Sequence, residues 1–570
     1  MKNLLTALFV LGVVFNITAQ ELPHQLTSEE RTMDYTPPSA FGFTTPPASE
    51  VRTPAEWEEI DGLCVRWTSS WAQTTLRGIV QHAKEEVPVY IVTNQSYIDN
   101  IQDHLQNYNI TLDNIQFVVE PSNSIWFRDY GQWNVYTDDV DSLLWVDWIY
   151  NRPRPLDDVI PVALADMLDI PLYETTDVPY DLVNTGGNFM VDGFGTAFAS
   201  ELILEENDGT GYGISNHSEA AIDQILEDFM GIDRYIKMPT LPYDGIHHID
   251  MHMKLLDEET LLVGEYPSGV ADGPQIESNL NYVLNNFNSV FGTDYKVIRI
   301  PMPPEGGQYP NQNGDYRTYT NSVFVNNTIL VPTYEQQWDT TALRIYREAL
   351  PGYNVVGIDC NEIITASGAI HCITKAVASD DPLLISHQPI EDQIYAAVDY
   401  TVDALIQHAD GIAEATLYWT TDTASGYSAV SMNLTNATDH IWSASIPYQQ
   451  AGAQVFYYVH AEANNGKEQV RPMPAPQGYW NFKVIADPTG ISERELAVGM
   501  YPNPTLGQIR VDVQMKTDMT YSVVDCFGRL IESGNAVGSF NLNLSEHAAG
   551  VYALNLEWEG GTKTMRIQKL

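Results

Sequence analysis

The chain has 570 residues, of which 44% are hydrophobic and 11% aromatic, so it is long enough for several domains and is not a disordered composition. Against 75 Asp+Glu stand only 28 Lys+Arg, a formal net charge of −47. Such a field repels nucleic acid and anionic membrane and suits cationic partners, although surface solvation alone also accounts for the acidity.

Met1-Lys2-Asn3, an apolar run from Leu4 to Phe15 and then Thr18-Ala19-Gln20 predict a secretory signal peptide over residues 1–19. That run is too short to span a bilayer, and no later stretch reaches about 18 apolar residues, so an exported soluble protein is expected. A leader covers residues 20–46. Residues 47–383 alternate aromatic-rich strand patterns with helical ones such as Glu219-Ala220-Ala221-Ile222-Asp223-Gln224-Ile225-Leu226. Residues 387–485 hold short alternating strands, among them Ala415–Trp419, Trp442–Ile446 and Gln454–Val459, with turn residues between them. This pattern predicts a β-sandwich. A linker near Asp487-Pro488-Thr489-Gly490 leads to a last β-patterned zone, 490–570.

The large zone contains a quasi-repeat. Asp129, Asn188, Asp250, Asn321 and Cys372 are separated by 59, 62, 71 and 51 residues, and most of them open a strand–turn–strand pattern. Gly193 and Asn326-Asn327 suit the hairpin turns. Five such units in a ring would turn the five polar residues toward one centre.

Four cysteines, Cys64, Cys360, Cys372 and Cys526, have no CxxC spacing, which argues against a disulfide scaffold and a thiolate zinc site. Cys372 alone reads equally well as a reactive thiol or as half of a bridge to Cys360; a Cys64–Cys360 pair also stays open. Upstream stand Arg128-Asp129-Tyr130-Gly131, Thr185-Gly186-Gly187-Asn188 and His248-Ile249-Asp250. A thiolate, an imidazole and two carboxylates suit attack on a guanidinium carbon. That carbon is a poor electrophile, so it needs a strong nucleophile, a proton donor for ammonia and anions that grip a planar cation. His248 and Asp250 would share one face of an extended segment. The blander readings are an Asp129–Arg128 ion pair, a simple Gly186-Gly187-Asn188 turn and a core His248. Zinc on His248, Asp250 and His252 is a rival, without a second ligand cluster. There is no GxSxG elbow and no GxGxxG before a helix, so neither serine catalysis nor a nucleotide cofactor is expected.

Trp126-Phe127-Arg128-Asp129-Tyr130-Gly131, Gly186-Gly187-Asn188, His248-Ile249-Asp250, Thr320-Asn321-Ser322 and His371-Cys372 together resemble the bacterial, Porphyromonas-type peptidylarginine deiminase and agmatine deiminase family of the pentein superfamily. The resemblance implies an α/β five-bladed propeller over residues 47–383. It implies Cys372 as nucleophile, His248 as acid/base, Asp129 and Asp250 as guanidinium anchors, Asn321 as a supporting residue and Trp126 at the substrate. It implies no cofactor; calcium belongs to the animal enzymes. Ser367 and Ala369 interrupt the glycine run that the agmatine branch shows before its His-Cys, and Gln132 follows Gly131 where that branch usually has proline. Asn151-Arg152-Pro153-Arg154-Pro155 points the same way. By resemblance to the peptidylarginine branch, Arg152 and Arg154 bind the carboxylate of a C-terminal arginine, and two cations would repel agmatine's ammonium. The blander reading pairs them with Asp157 and Asp158 at the surface.

Tyr501-Pro502-Asn503-Pro504, Asp525-Cys526-Phe527-Gly528-Arg529, Ala549-Gly550-Val551-Tyr552 and the closing Arg566-Ile567-Gln568-Lys569-Leu570 resemble a type IX secretion C-terminal sorting domain. The middle sandwich resembles an immunoglobulin-like domain. The expected protein is thus an exported arginine deiminase that meets peptide substrates and the secretion machinery. A small-molecule deiminase and an inactive surface-binding protein are the rival functions.

Overall fold

The computed structural model describes residues 22–33, 35–67, 70–486, 497–514, 516–558 and 561–570; the signal-peptide segment and the 487–490 linker lie outside them. Ile390 and the described residues before it, with Asp399–Ile446 and Val455–Asn481, form one compact unit. Glu391–Val398, Pro447–Gln454 and Phe482–Leu570 form another, so the 387–485 stretch is divided between them.

Within residues 51–378 the quasi-repeat becomes five separate sheets, each built on a ββαβ unit. The antiparallel pairs are Thr374–Ala378 with Ile60–Arg66, Trp133–Thr137 with Leu143–Tyr150, Met190–Val191 with Thr196–Ser200, Met253–Leu255 with Thr260–Glu265, and Val323–Val325 with Thr328–Thr333. In each unit the second strand leads through a helix to a parallel third strand. The helices are Gln73–Ala83, Ile160–Leu168, Glu219–Met230, Gly273–Asn286 and Gln336–Ala349. The first unit is closed by the end of the zone: Thr374 pairs with Val65, so the last strand joins the first sheet.

Local chemistry explains these elements. Val89–Thr93 is buried along its whole length, which is why it reads as a continuous apolar run rather than an alternation. Glu219–Met230 buries Ile222, Ile225, Leu226, Phe229 and Met230 at helical spacing. The Ser218 hydroxyl caps its start, accepting from the Ala221 N–H at 3.3 Å. Gly231 ends it at φ +68°, where a Cβ would sit 1.8 Å from the Val51 carbonyl oxygen. The Asn326-Asn327 hairpin forms as expected, with Asn326 at φ +48° and its side-chain amide bonded to both main-chain polar groups of Ile60.

Beyond residue 383 the described residues form strands and turns, with one 3-10 turn at Thr423–Ser425 and no α-helix. Tyr400–Gln407 turns Tyr400, Val402, Ala404 and Ile406 inward and pairs antiparallel with Ile441–Ile446. Ile412–Thr420 pairs antiparallel with Gln454–Ala463. The period-two burial is what a one-sided antiparallel sheet requires. In the C-terminal region Asp518–Asp525, Gly550–Trp558 and Gly561–Lys569 form an antiparallel sheet over a core that includes Val511, Val523, Leu542, Leu554 and Ile567. No helix among the described residues is long and apolar enough to cross a membrane.

Candidate active site

Each motif residue stands just before the first strand of its unit. Asp129 lies in the short helix Phe127–Tyr130, and Asn188, Asp250 and Cys372 lie in 3-10 turns, Gly186–Asn188, Ile249–Met251 and His371–Ile373. Asn321 precedes Val323–Val325 without helical form. A turn at a strand's start lets one polar side chain leave the sheet direction and reach inward.

Cys372 is fully buried. The Asn321 amide nitrogen lies 3.2 Å from its Sγ, while Asn321 Oδ1 accepts the His371 N–H at 3.0 Å and the Cys372 N–H at 3.3 Å. Asn321 thus fixes both the thiol and the turn that carries it. Asp250 Oδ2 lies 3.8 Å from Sγ and takes a 2.7 Å hydrogen bond from His371 Nδ1. His371 Nε2 meets Glu56 at 2.5 Å, and Glu56 also pairs with Arg128 at 3.0 Å and Lys254 at 2.6 Å. Asp250 Oδ1 is buried without a hydrogen-bond partner among the described residues. A buried carboxylate oxygen left open is costly unless a ligand fills it.

Asp129 does not pair with Arg128. Its carboxylate accepts the Gly187 N–H at 3.3 Å, faces His248 Nδ1 at 3.6 Å and contacts the His24 imidazole. His248 Nε2 lies 3.4 Å from the Thr185 hydroxyl. The expectation that His248 and Asp250 share an extended face needs correction. His248 is extended at φ −90°, ψ 136°, but Asp250 sits inside the following helical turn. Both still converge, because a Cβ on Gly187 would lie 2.4 Å from His248 Nδ1 and 3.2 Å from both Asp129 Oδ1 and Asp250 Oδ2.

Gly187 is therefore more than a turn residue; its backbone occupies the space where a side chain would push the imidazole away. Gly187→Ala is expected to lower kcat/KM by about 100-fold, the scale of an ångström's misplacement, while leaving the thermal transition in place. Loss of activity together with loss of the folded core would contradict a site-specific role. Asn188 instead bonds both main-chain groups of Ser200, at 2.8 and 3.3 Å, which makes it a strut.

Burial pushes the Cys372 thiol well above its usual range, with Asp250 and then Asp129 adding to the shift. Burial also drives the His248 imidazole well below its usual range, against the pull of Asp129. Burial alone would raise the Asp129 carboxyl, but His24, His248 and Arg152 hold it below the ordinary carboxylate range. At neutral pH the resting site is thus a neutral thiol beside a neutral imidazole and a carboxylate.

Arg152 and Arg154 are buried, 6% and 1% exposed, so the surface-pair reading does not hold. Asp157 accepts from Asn123 and Ser124, and Asp158 from Tyr150 and Tyr35. Arg152 Nε donates to the His24 carbonyl at 3.1 Å. Arg154 donates to the Pro23 carbonyl at 2.8 Å and pairs with Glu30 at 2.7 Å. Trp126 is fully buried and its ring stacks on His24 at 4.2 Å.

The three-residue zinc set is not what the fold assembles. His252 lies beyond the turn with both ring nitrogens unpartnered, and the close ligand group among the described residues is His24, Asp129 and His248, within 4.8 Å. All four cysteines are free thiols, so neither the Cys360–Cys372 nor the Cys64–Cys360 bridge forms.

Residues 52–377 match the family described as Porphyromonas-type peptidyl-arginine deiminase. The chain belongs to that family. It is accordingly a hydrolase of the deiminase group, acting on C–N bonds of linear amidines. Residues 499–569 match the secretion system C-terminal sorting domain, which indicates export by type IX secretion. A Mycoplasma capricolum protein provisionally named an agmatine deiminase is 25% identical over 373 residues, covering 58% of this chain and 97% of the relative. A Vibrio parahaemolyticus protein of the same name is 24% identical over 376 residues, covering 59% and 98%. Among solved structures, the agmatine deiminase of Enterococcus faecalis matches with a TM-score of 0.50 at 20% identity, covering 60% of this chain and all of that one. A Porphyromonas gingivalis protein provisionally described as an arginine deiminase matches at 0.50 and 20%, covering 58% and 99%. At those identities the structures speak for the fold: this deiminase-family unit is a pentein deiminase fold followed by an all-β region.

Sequence reading found no sign of His24 or Glu56, and it did not assign the contact of Thr185 with His248 or the bridging role of His371. Thr185 and His371 did carry a local signal, their places in the Thr185-Gly186-Gly187-Asn188 motif and beside Cys372.

Proposed function

We propose that this protein converts C-terminal arginine residues of peptides to citrulline and ammonia through a thiouronium on Cys372. The observation that carries this reading is the convergence of Cys372 Sγ, Asp250 and Asp129 beside a buried arginine pair that is already bonded to main-chain carbonyl oxygens. Asp129 and the open Asp250 Oδ1 grip the guanidinium, whose positive charge lowers the Cys372 pKa. His248, neutral at rest, accepts the thiol proton as Sγ attacks the guanidinium carbon, and then returns it to the departing ammonia. A water deprotonated by His248 displaces the thiolate and leaves citrulline. Asn321 holds Sγ in line, Trp126 offers its face to the planar group, and Arg152 with Arg154 takes the substrate carboxylate.

Two structural details accompany this reading. The five ββαβ units fit a five-bladed propeller around the motif turns, and the strands between 400 and 463 fit an immunoglobulin-like sandwich. The catalytic zone 47–383, the sandwich 387–485 and the sorting zone 490–570 would then be its domains, and the enzyme would act as a released or surface-attached protein.

The substrate side is tested with one peptide ending in arginine, the same peptide amidated, and agmatine. The free carboxylate is expected to raise kcat/KM by about 10- to 100-fold over the amide, the worth of one or two charge-assisted hydrogen bonds. Agmatine, whose ammonium would face two buried cations, is expected to react more slowly still. Equal rates on free and amidated peptide would remove the carboxylate role of Arg152 and Arg154.

A further inference from the structure

The cleft is already full. Leader residues 22–30 run through it and engage Trp126, Asp129, Arg152 and Arg154, leaving Asp250 as the one substrate-binding group they do not touch. The Trp126 indole N–H donates to the Leu22 carbonyl at 3.0 Å, and Arg154 donates to the Pro23 carbonyl. The His24 ring lies parallel to Trp126, 6° between planes, edge-on to His248 at 4.9 Å, and bonded to Asp129. Its Nδ1 lies 2.8 Å from the Ser367 carbonyl, its N–H donates to the Ala366 carbonyl at 3.2 Å, and its own carbonyl takes Arg152. His24 is completely buried. Glu30 places a carboxylate on Arg154 and is held there by a reciprocal pair of bonds with Thr27, the geometry of a capping box.

We infer that leader residues 22–30 are a tethered pseudosubstrate that keeps the deiminase latent until the segment is cut or displaced. A planar imidazole between Trp126 and Asp129 stands where a guanidinium would, and the Glu30 carboxylate stands on the arginine assigned to a substrate's carboxylate. The one N–C=N carbon of His24 belongs to an aromatic ring and carries no free amino group, so attack by Cys372 would have no ammonia to expel. Covalent attachment supplies the segment at an effective concentration on the order of millimolar, enough for a weakly binding peptide to fill the cleft. The release point is legible as well. Arg31 is exposed, and it is the sole Lys or Arg between residues 22 and 51. Cleavage after it would separate residues 22–31 from the rest of the chain.

The proposal rests on the site reading above, and its test separates the two. The full chain and a His24→Ala/Glu30→Ala variant are compared for citrulline formation from a peptide ending in arginine and for Cys372 alkylation by iodoacetamide. Both readouts are expected to rise about tenfold or more in the variant, with the gain in deimination lying in KM rather than kcat, as for removal of a competitive ligand. A synthetic peptide of residues 22–31 added to the variant is expected to restore inhibition competitively, and the same peptide with His24→Ala to fail. Equal alkylation and equal deimination in the two chains would overturn latency. Faster alkylation in the variant without any citrulline would keep the pseudosubstrate and overturn the proposed activity. Should the double variant lose its thermal transition, the full chain cut after Arg31 takes its place, and an unchanged rate after complete cleavage counts against the proposal.

Discussion

Cys372→Ala is expected to lose citrulline formation by at least about 10⁴-fold in kcat/KM, whatever the state of the leader, because the substitution removes the proposed nucleophilic atom rather than tuning it. The fold should survive. Asn321 Oδ1 still accepts the N–H groups of residues 371 and 372, and Asp250 still has His371, so the turn keeps its supports. The lost packing of one sulfur costs about 1 kcal/mol, too little to unfold a core of this size. The measurement is steady-state citrulline formation beside a thermal melt. Activity within tenfold of the parent would show that another group attacks.

Asp250→Asn carries the second large effect, and its two readouts move in opposite directions. In the proposed mechanism the carboxylate grips the substrate cation, and it also opposes formation of the thiolate 3.8 Å away. Removing its charge is expected to lower kcat/KM by about 100-fold, the worth of two hydrogen bonds to a charged group. The same change takes away a cause that raises the Cys372 pKa, so the thiol should titrate at lower pH and iodoacetamide should alkylate it faster at a given pH, measured on the same form of the chain as the parent. The pH rate profile of alkylation checks the sign. A profile that moves up or stays put would mean that Asp250 acts on Cys372 through structure and not through charge.

The sequence exposed the parts of this site that are local. Each motif residue sits before an alternating strand pair, so Asp129, Asn188, Asp250, Asn321 and Cys372 could be found by spacing, and all but Asn188 reach the thiol or the carboxylates around it. Asn188 shares the position in its unit but spends its side chain on Ser200. The parts that escaped are long-range. His24 meets Asp129 from 105 residues away, and Glu56 meets His371 from 315. No periodicity links such partners: closure of the zone, with Thr374 beside Val65, brings Glu56 to His371, and His24 comes from the leader outside the repeat. The strand assumption for His248 and Asp250 failed for a related reason. A polar residue that must turn into the centre breaks the extended backbone, so a 3-10 turn stands where an extended segment was assumed. The arginine pair was found by its flanking prolines, but its burial, and the leader that covers it, belong to tertiary structure.

Attack by Cys372 on a guanidinium carbon is tested most directly by rapid-quench mass spectrometry of the enzyme turning over a peptide that ends in arginine, with the leader cut or displaced. The account predicts a transient adduct equal to enzyme plus peptide less one ammonia, mapped to Cys372 and decaying as citrulline appears. Citrulline formed at full rate with no such adduct, or an adduct mapped to any other residue, would contradict it.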